Sequence, residues 1–388
     1  MLPKIAFNIA QNGLGLEGDG VQKVPGLLIT GSSVVDGIQI GESHQVFSLT
    51  EVEDLGISEA SNPFAYKHLS AFYAEAGEGA ELWFMLVSDA TTYAQMGDTN
   101  ETLLKKLIQD AGGAIRVVGL LKKSPGTETI AEGLDEDVKA GVIAAQALAE
   151  EFAAIYMPFA VLISGNSFSG VVADLFDYKT GEYPRVGLLL ANDDGAPEAS
   201  IGLALGRIAR IPTQRSIARV KDGSAIDLQA YFTDGSKVED FMASWEAIHA
   251  KAYIFFRTFS GRSGYFFTDD PTLVDAKNDF SSLARVLVMD EAVLIANDTL
   301  TEELSDEIPV DDNGKIHPAI IKSWQGNIEN QINALMVSEG KLNGVEAFID
   351  ANQDILTNNQ FVVTLRLQPV GYAKEIEVNI GYTTNLQQ

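Results

Sequence analysis

Glu81-Leu-Trp-Phe-Met-Leu-Val87 decides the fold class. After Glu81 it has no charged side chain and nothing in it alternates. A strand with one wet face would alternate apolar and polar residues. A continuous apolar run of this length reads instead as a strand buried on both faces, the kind found in parallel sheets with helices above and below. Gly26–Gly31, Ala114–Leu121, Phe159–Ser164, Arg185–Ala191 and Lys251–Thr258 read as further strands. Helical patterns separate them at Pro63–Ala76, Glu101–Ala111, Asp135–Tyr156, Pro197–Ile211 and Lys237–His249. In the first, Phe64, His68, Leu69, Phe72 and Tyr73 share one broad face; the second stops at Gly112-Gly113. Repeated strand–helix–strand units predict an α/β body: a layered mixed sheet, largely parallel, flanked by helices on both faces.

Outward from this body the pattern changes. After about Gly261 come two long helices, about Asp279–Leu304 and Pro318–Ser338, with the turn Asp311-Asp-Asn-Gly314 between them. The second helix puts Ile321, Trp324, Ile328, Ile332 and Leu335 on one stripe. Two alternating strands follow. Phe361, Val363, Leu365 and Leu367 mark one, and Ile376, Val378 and Ile380 mark the other, with Pro369 and Gly371 between. The opposite end has the same character, because Ile5, Phe7 and Ile9 point one way from a period-two strand. Gly13, Gly15, Gly18 and Gly20 then make a flexible connector. The chain as a whole reads as α+β in four segments: an N-terminal arm and linker (1–24), the α/β body (25–260), a helix-plus-strand C-terminal region (261–370) and a C-terminal arm (371–388). An isolated strand cannot satisfy its backbone donors and acceptors, so the end strands pair either within this chain or with other chains.

Composition narrows the functions. The 388 residues carry 54 Asp+Glu against 27 Lys+Arg, a net charge of −27. That balance argues against nucleic acid, whose phosphates need clustered cations, and against an anionic membrane surface. With no cysteine there is no disulfide, zinc finger, iron–sulfur cluster or thiol nucleophile. The first residues lack the pattern of a signal peptide, and no stretch reaches the ~18–20 apolar residues of a membrane span. We therefore expect neither membrane insertion nor direct nucleic-acid contact.

Motifs that could carry chemistry fail in context. Gly13-Leu-Gly15-Leu-Glu-Gly18 has the spacing of a dinucleotide fingerprint, yet Asp19, Gly20 and Pro25 follow where a helix must open, and Glu17 would face the phosphates. Gly165-Asn-Ser167-Phe-Ser169 follows a strand, but Ser169 stands where a nucleophile elbow needs its last glycine. A hydrolase using the Ser164–Ser169 turn, with His249 or His317 downstream, stays open as an alternative; a small-residue turn explains the segment more simply. His44, His68, His249 and His317 are scattered, and His68 lies on an apolar helix face, as a packed core histidine would. No catalytic, cofactor or metal residue is expected, and no enzymatic activity.

Charge is unevenly placed. Ile201–Lys221 has no acid but carries Arg207, Arg210, Arg215, Arg219 and Lys221. Asp269–Asp312 is strongly acidic and includes Glu302, Glu303, Asp306 and Glu307. Such runs are either solvated faces or surfaces that meet between copies of the chain.

The C-terminal third also carries a resemblance. Gly264-Tyr-Phe-Phe-Thr-Asp-Asp-Pro271 leads into Asp279-Phe-Ser-Ser-Leu-Ala-Arg-Val286, then the two long helices, then Asn352-Gln-Asp-Ile-Leu356. Leu365-Arg-Leu-Gln-Pro-Val-Gly-Tyr-Ala373 and Ile376-Glu-Val-Asn-Ile380 close the series. In this order the motifs resemble contractile tail sheath proteins of phages and related injection systems, in a short phage-type branch once classed as of unknown function. Arg285, Val286 and Pro369 sit at matching points; Met289-Asp290 stands where that pattern often carries a base. The resemblance covers about Gly261–Tyr382 and is looser in the body. It implies a structural subunit forming stacked hexameric rings around an inner tube, with no cofactor. Its partners would be itself, the inner tail tube protein, and baseplate and terminator proteins. It would assemble in the bacterial host cytoplasm and reside in a virion tail or injection particle. The end strands Ile5, Phe7, Ile9 and Ile376, Val378, Ile380 would be exchanged between subunits, with Gly13, Gly15, Gly18 and Gly20 as hinge. Another self-assembling tail or secretion component is the remaining alternative.

Overall fold

The Glu81 run forms the strand Leu82–Val87, one of seven in the main sheet. A computed structural model describes residues 23–301, 303, 307–310, 315–353, 361–374 and 376–378. Across the sheet the order is Tyr253–Ile254, Val186–Leu189, Ala160–Ser164, Ile115–Leu121, Val24–Thr30, Leu82–Val87 and Ser43–Val46. All neighbours are parallel except the last pair, where Ser43–Val46 runs antiparallel to Leu82–Val87. This is the largely parallel α/β sheet expected from the apolar runs. All of Val24–Thr30 is buried. Its Pro25 has no N–H for a ladder, and the register shifts between Val24 and Pro25, where such an irregularity accommodates it.

Leu82–Val87 and Ile115–Leu121 flank Val24–Thr30 on opposite sides, so the direction of sheet growth reverses there. In doubly wound sheets this reversal opens a crevice at the carboxyl ends of the strands, the usual place for chemistry. Helices cover the sheet closely. Gly119, in a central strand, has no room for a β-carbon, which would lie 2.4 Å from Ile201 Cγ2 on the helix Ile201–Arg210. That helix also packs on Pro63–Ala76, where His68, Leu69, Phe72 and Tyr73 are buried as the helical stripe predicts.

The chain divides into two compact units, Met1–Leu294 and Ile295–Gln388. The change of pattern after Gly261 does not mark this division. Tyr265 exchanges backbone hydrogen bonds with Ile226, and Phe256–Arg257 pairs with Phe266–Phe267, which ties these residues to the first unit. The helix Leu283–Thr301 runs through the division. In the second unit Pro318–Ile332 packs its buried Ile321, Trp324 and Ile328 in the expected stripe. Trp324 stacks on Phe361, with centroids 4.5 Å apart and planes at 17°. Ile316, Ile321, Trp324 and Ile349 form the core there.

Several elements differ from the sequence reading. Lys237–His249 is a 3₁₀ turn, Val238–Ser244, followed by the short helix Trp245–Ala250. The Trp245 indole N–H donates to Val238 O at 2.8 Å, occupying the carbonyl that an α-helix would offer to residue 242. The strand at Phe361–Gln368 is observed as Val363–Pro369, and it pairs antiparallel inside its own chain with Leu342–Ile349. That partner strand was not anticipated. A register shift between Leu342 and Gly344 breaks its period of two. Ile376 and Val378 are in no strand and are 77% and 68% exposed. Ile380, Ile5, Phe7, Ile9 and Gly13, Gly15, Gly18 and Gly20 lie outside the described residues.

Candidate functional site

A hydrolase would use the crevice at the carboxyl ends of the central strands. A closed polar network fills that position. Lys122, just past Ile115–Leu121, places Nζ 2.8 Å from Asp135 and 2.9 Å from Asp137 at the start of the helix Glu136–Ala153. Asp135 caps that helix by accepting from Asp137 N, and Asp137 accepts from Tyr93 N at 2.6 Å. Burial disfavours the Lys122 ammonium, but its bonds to Asp135 and Asp137 outweigh this and hold its pKa above the usual lysine range. The Tyr93 hydroxyl donates to Asn166 Oδ1 at 2.9 Å and accepts from Lys122 N, while Asn166 Nδ2 donates to Lys122 O at 2.8 Å.

Ser164 joins this network, and the other two serines of the turn have partners of their own. Ser164 Oγ donates to Asn166 and accepts from Ala199 N. Ser167, in the left-handed region at φ 54°, donates to Glu128, and Ser169 Oγ accepts from Val171 N. His249 pairs with Asp269 at 3.2 Å, and His317 Nδ1 accepts from Ala319 N at the start of its helix. No described hydrogen bond links either histidine to these serines. The serine–histidine pair that the hydrolase alternative needs is not formed among the described residues. Among the described residues no cluster of three or more His, Asp or Glu could hold a metal, and no helix is long and apolar enough to cross a membrane.

The basic block is largely neutralised from within. Arg207 is 1% exposed, with Nε on Glu75 and its terminal nitrogens on the carbonyls of Gly223 and Ser224. It is an internal cation and cannot present charge on a surface. Arg210 reaches Glu75 at 3.0 Å, and Arg215 and Arg219 share Asp222 at 3.3 and 2.7 Å. The reading of an acid-free block missed Glu75, which is distant in sequence, and Asp222, one residue past its end. In the acidic block Asp270, Asp290 and Glu291 are buried, Glu303 is partly buried and Glu307 exposed; Glu302 and Asp306 lie outside the described residues.

Open backbone lies in the second unit. Among the described residues Leu342–Ile349 and Val363–Pro369 form a sheet of two strands; on the outer edge of the first, Ala347 N donates to Glu329 at 2.8 Å and Ala347 O accepts from Gln325 Nε2 at 2.9 Å, while the outer edge of Val363–Pro369 meets no described strand. One face carries buried Leu342, Ala347 and Ile349; Phe348, Glu346 and Arg366 are exposed, the last two paired at 3.1 Å. The helix Pro318–Ile332 supports the sheet through the core at Ile321, Trp324 and Ile349, and a strand edge that meets no neighbour accepts a further strand.

Comparison with known proteins agrees with this geometry. The family model for the DUF2586 N-terminal domain matches residues 2–271, and that for the DUF2586 C-terminal domain matches residues 279–387. No curated protein matches the chain. Among solved structures, the contracted helical sheath of the anti-feeding prophage aligns over 99% of both chains, with a TM-score of 0.63 and 14% identity. The contracted sheath complex of the PVC extracellular contractile injection system aligns over 100% of this chain and 98% of its own, at 0.60 and 13%. The sheath tail protein of Listeria innocua covers 92% and 93%, at 0.51 and 11%. At such identities the likeness establishes the fold: this chain has the fold of contractile sheath proteins.

Proposed function

The chain belongs to the DUF2586 family, and from that premise and the sheath fold we propose that it is the structural subunit of a contractile tail sheath. It polymerises as stacked hexameric rings around an inner tube and contracts to drive the tube through a target envelope. It is not an enzyme; the work is stored in the extended lattice. Its partners are other copies of itself, the inner tube protein, and baseplate and terminator proteins. It assembles in the host cytoplasm and remains in the tail or injection particle. The likeness to sheath subunits over nearly the whole chain carries the reading. The outer edge of Val363–Pro369, which meets no described strand, together with exposed Ile376 and Val378, supports strand exchange between subunits. Main-chain bonds would supply affinity, and alternate side chains would set register. The arms at 1–24 and 371–388 would serve this exchange, with Gly13, Gly15, Gly18 and Gly20 as hinge and Ile5, Phe7, Ile9 and Ile380 as strand residues. Residues 25–260 and 261–370 would be the body and the sheath core.

The test is polymerisation. Concentrated protein should form tubes or cogwheel rings under the electron microscope. Deletion of residues 372–388 should leave a folded monomer that forms neither. A full-length chain that stays monomeric at every concentration would overturn the sheath reading, and unfolding of the truncated chain would place the last strand in the subunit's own core.

A further inference from the structure

The crevice end of the sheet is closed by Lys122 and its partners. The opposite end, where the parallel strands begin, holds a different ionic cluster. Lys23 immediately precedes Val24–Thr30, Arg116 is the second residue of Ile115–Leu121, and Arg185 immediately precedes Val186–Leu189. With Ala160–Ser164 between the last two, they belong to four adjacent strands. At about 4.8 Å per strand the three cations span roughly 14 Å of one sheet end.

The helix Leu283–Thr301 supplies the opposite charge. Its sequence is apolar around Met289 except for Asp290 and Glu291, which are 2% and 3% exposed. Arg185 grips Asp290 with both terminal nitrogens, each at 2.8 Å, and also donates to Phe159 O. Arg185 N in turn donates to Gln146 Oε1 at 2.9 Å, which fixes the arginine's backbone. Burial lowers the Arg116 guanidinium, but Asp290 and then Glu291 act against that loss. Burial and then Arg215 pull the Lys23 ammonium down to about 7, against Glu291 and Asp270. At the helix start Asp270 accepts from Ser282 Oγ at 2.8 Å and Ala284 N at 3.1 Å.

Two buried carboxylates cost a helix more than apolar side chains would, unless they are paired and hydrogen-bonded. A bidentate arginine fork restricts angle as well as distance. An apolar face could slide or rotate against the sheet end; the fork allows one arrangement. The chain passes from the first unit to the second within this helix, just beyond the fork.

We propose that the Arg185–Asp290 fork, flanked by Arg116 and Lys23, is the joint that fixes the direction in which the helix leaves the body. Pull along the helix then reaches the sheet through this fork, beside the Asp270 contacts at the helix start. Arg185 and Asp290 are positioning residues and touch no ligand. The mechanical role rests on the sheath reading; the joint itself does not.

Hydrogen exchange on the full chain tests the joint. Asp290→Asn should accelerate amide exchange across residues 283–294 at least tenfold and leave Ile115–Leu121 and Ala160–Ser164 unchanged. Arg185→Lys keeps the charge but loses the fork, and should give an intermediate acceleration. Should Asp290→Asn fail to fold, Arg185→Met combined with Asp290→Leu removes both charges and should fold with the same local acceleration. Unchanged exchange in the variants that fold would overturn the joint. Microscopy separates this from the function. If wild-type protein forms tubes, a folded joint variant should form at least tenfold fewer, and normal tubes would overturn the mechanical role. A wild-type chain without tubes counts against the sheath reading alone, and the exchange result still decides the joint.

Discussion

Gly202 lies so close to His68 that a β-carbon on it would sit 2.0 Å from the His68 carbonyl oxygen. One turn on, a β-carbon at Gly206 would sit 2.6 Å from Phe72 O. The two glycines bring the backbones of Ile201–Arg210 and Pro63–Ala76 together, and backbone cannot yield as a flexible side chain can. Gly202→Ala should therefore destabilise the protein by about 1–3 kcal/mol, the range for overpacking. Gly326 is the control: it lies inside Pro318–Ile332, and a β-carbon added there would meet nothing within 4 Å. Gly326→Ala should stabilise by about 0.5–1 kcal/mol, since alanine favours helix. Denaturant midpoints for the two variants decide it, and equal shifts would refute the argument from close approach.

His68 sets a pH dependence. Burial, followed by the charge of Lys67, lowers its imidazole pKa to about 3. The unfolded chain binds a proton there near pH 6.5 while the folded chain refuses it until about 3. Between those values the unfolded state holds more protons, so stability falls as pH falls, by up to about 1.4 kcal/mol per pH unit from this residue. The window from pH 6.5 to 5 lies above most carboxylate titrations. His68→Met should flatten the stability profile there. Parallel profiles for the variant and the wild type would show that His68 is not the sensor.

Lys122 holds two carboxylates at the crevice end of the sheet. Lys122→Met leaves Asp135 and Asp137 without their cation and should cost about 3–5 kcal/mol, the range for breaking a buried pair. Adding Asp135→Asn to that variant should recover part of the loss, because one uncompensated charge is removed. Thermal melts of the single and double variants measure this. A double variant less stable than the single would mean that Asp135 acts chiefly as the cap of Glu136–Ala153.

The pairing of Arg210 with Glu75, and of Arg215 with Asp222, changes what charge reversal should do. Arg210→Glu with Arg215→Glu sets like charges against those acids and should lower monomer stability by about 1–2 kcal/mol. Lys221→Glu, exposed in the same segment, should change it by less than about 0.5 kcal/mol. Reduced assembly by Lys221→Glu at unchanged melting temperature would identify this segment as a contact between copies. Reduced assembly by the double variant alone would reflect only the damaged subunit.

The parallel sheet was legible because burial on both faces leaves unbroken apolar runs such as Leu82–Val87 and Ala160–Ser164. The stripe of Pro318–Ile332 was legible because one helix face meets one core. Leu342–Ile349 was not, because the irregularity at Gly344 hides its alternation. The ionic contacts were hidden for another reason: Glu75 and Arg207 are separated by 132 positions, and Arg185 and Asp290 by 105. Nothing local announces such a partner. The serine turn was legible as a turn, while Asn166 and Glu128, which bond the Ser164 and Ser167 hydroxyls, carry no recognisable spacing.

Val24–Thr30 is an interior strand of the sheet, yet both of its neighbours come later in the chain. During synthesis it cannot be enclosed until residue 121 has emerged. At about 5–20 residues per second, the 91 positions from Thr30 to Leu121 take roughly 5–18 s. For that time a strand destined for complete burial is a nascent segment open to wrong partners. Pro25 lacks a ladder donor and Gly26 adds no side chain to a foreign sheet, so this strand is a poor template for aggregation until its own neighbours arrive.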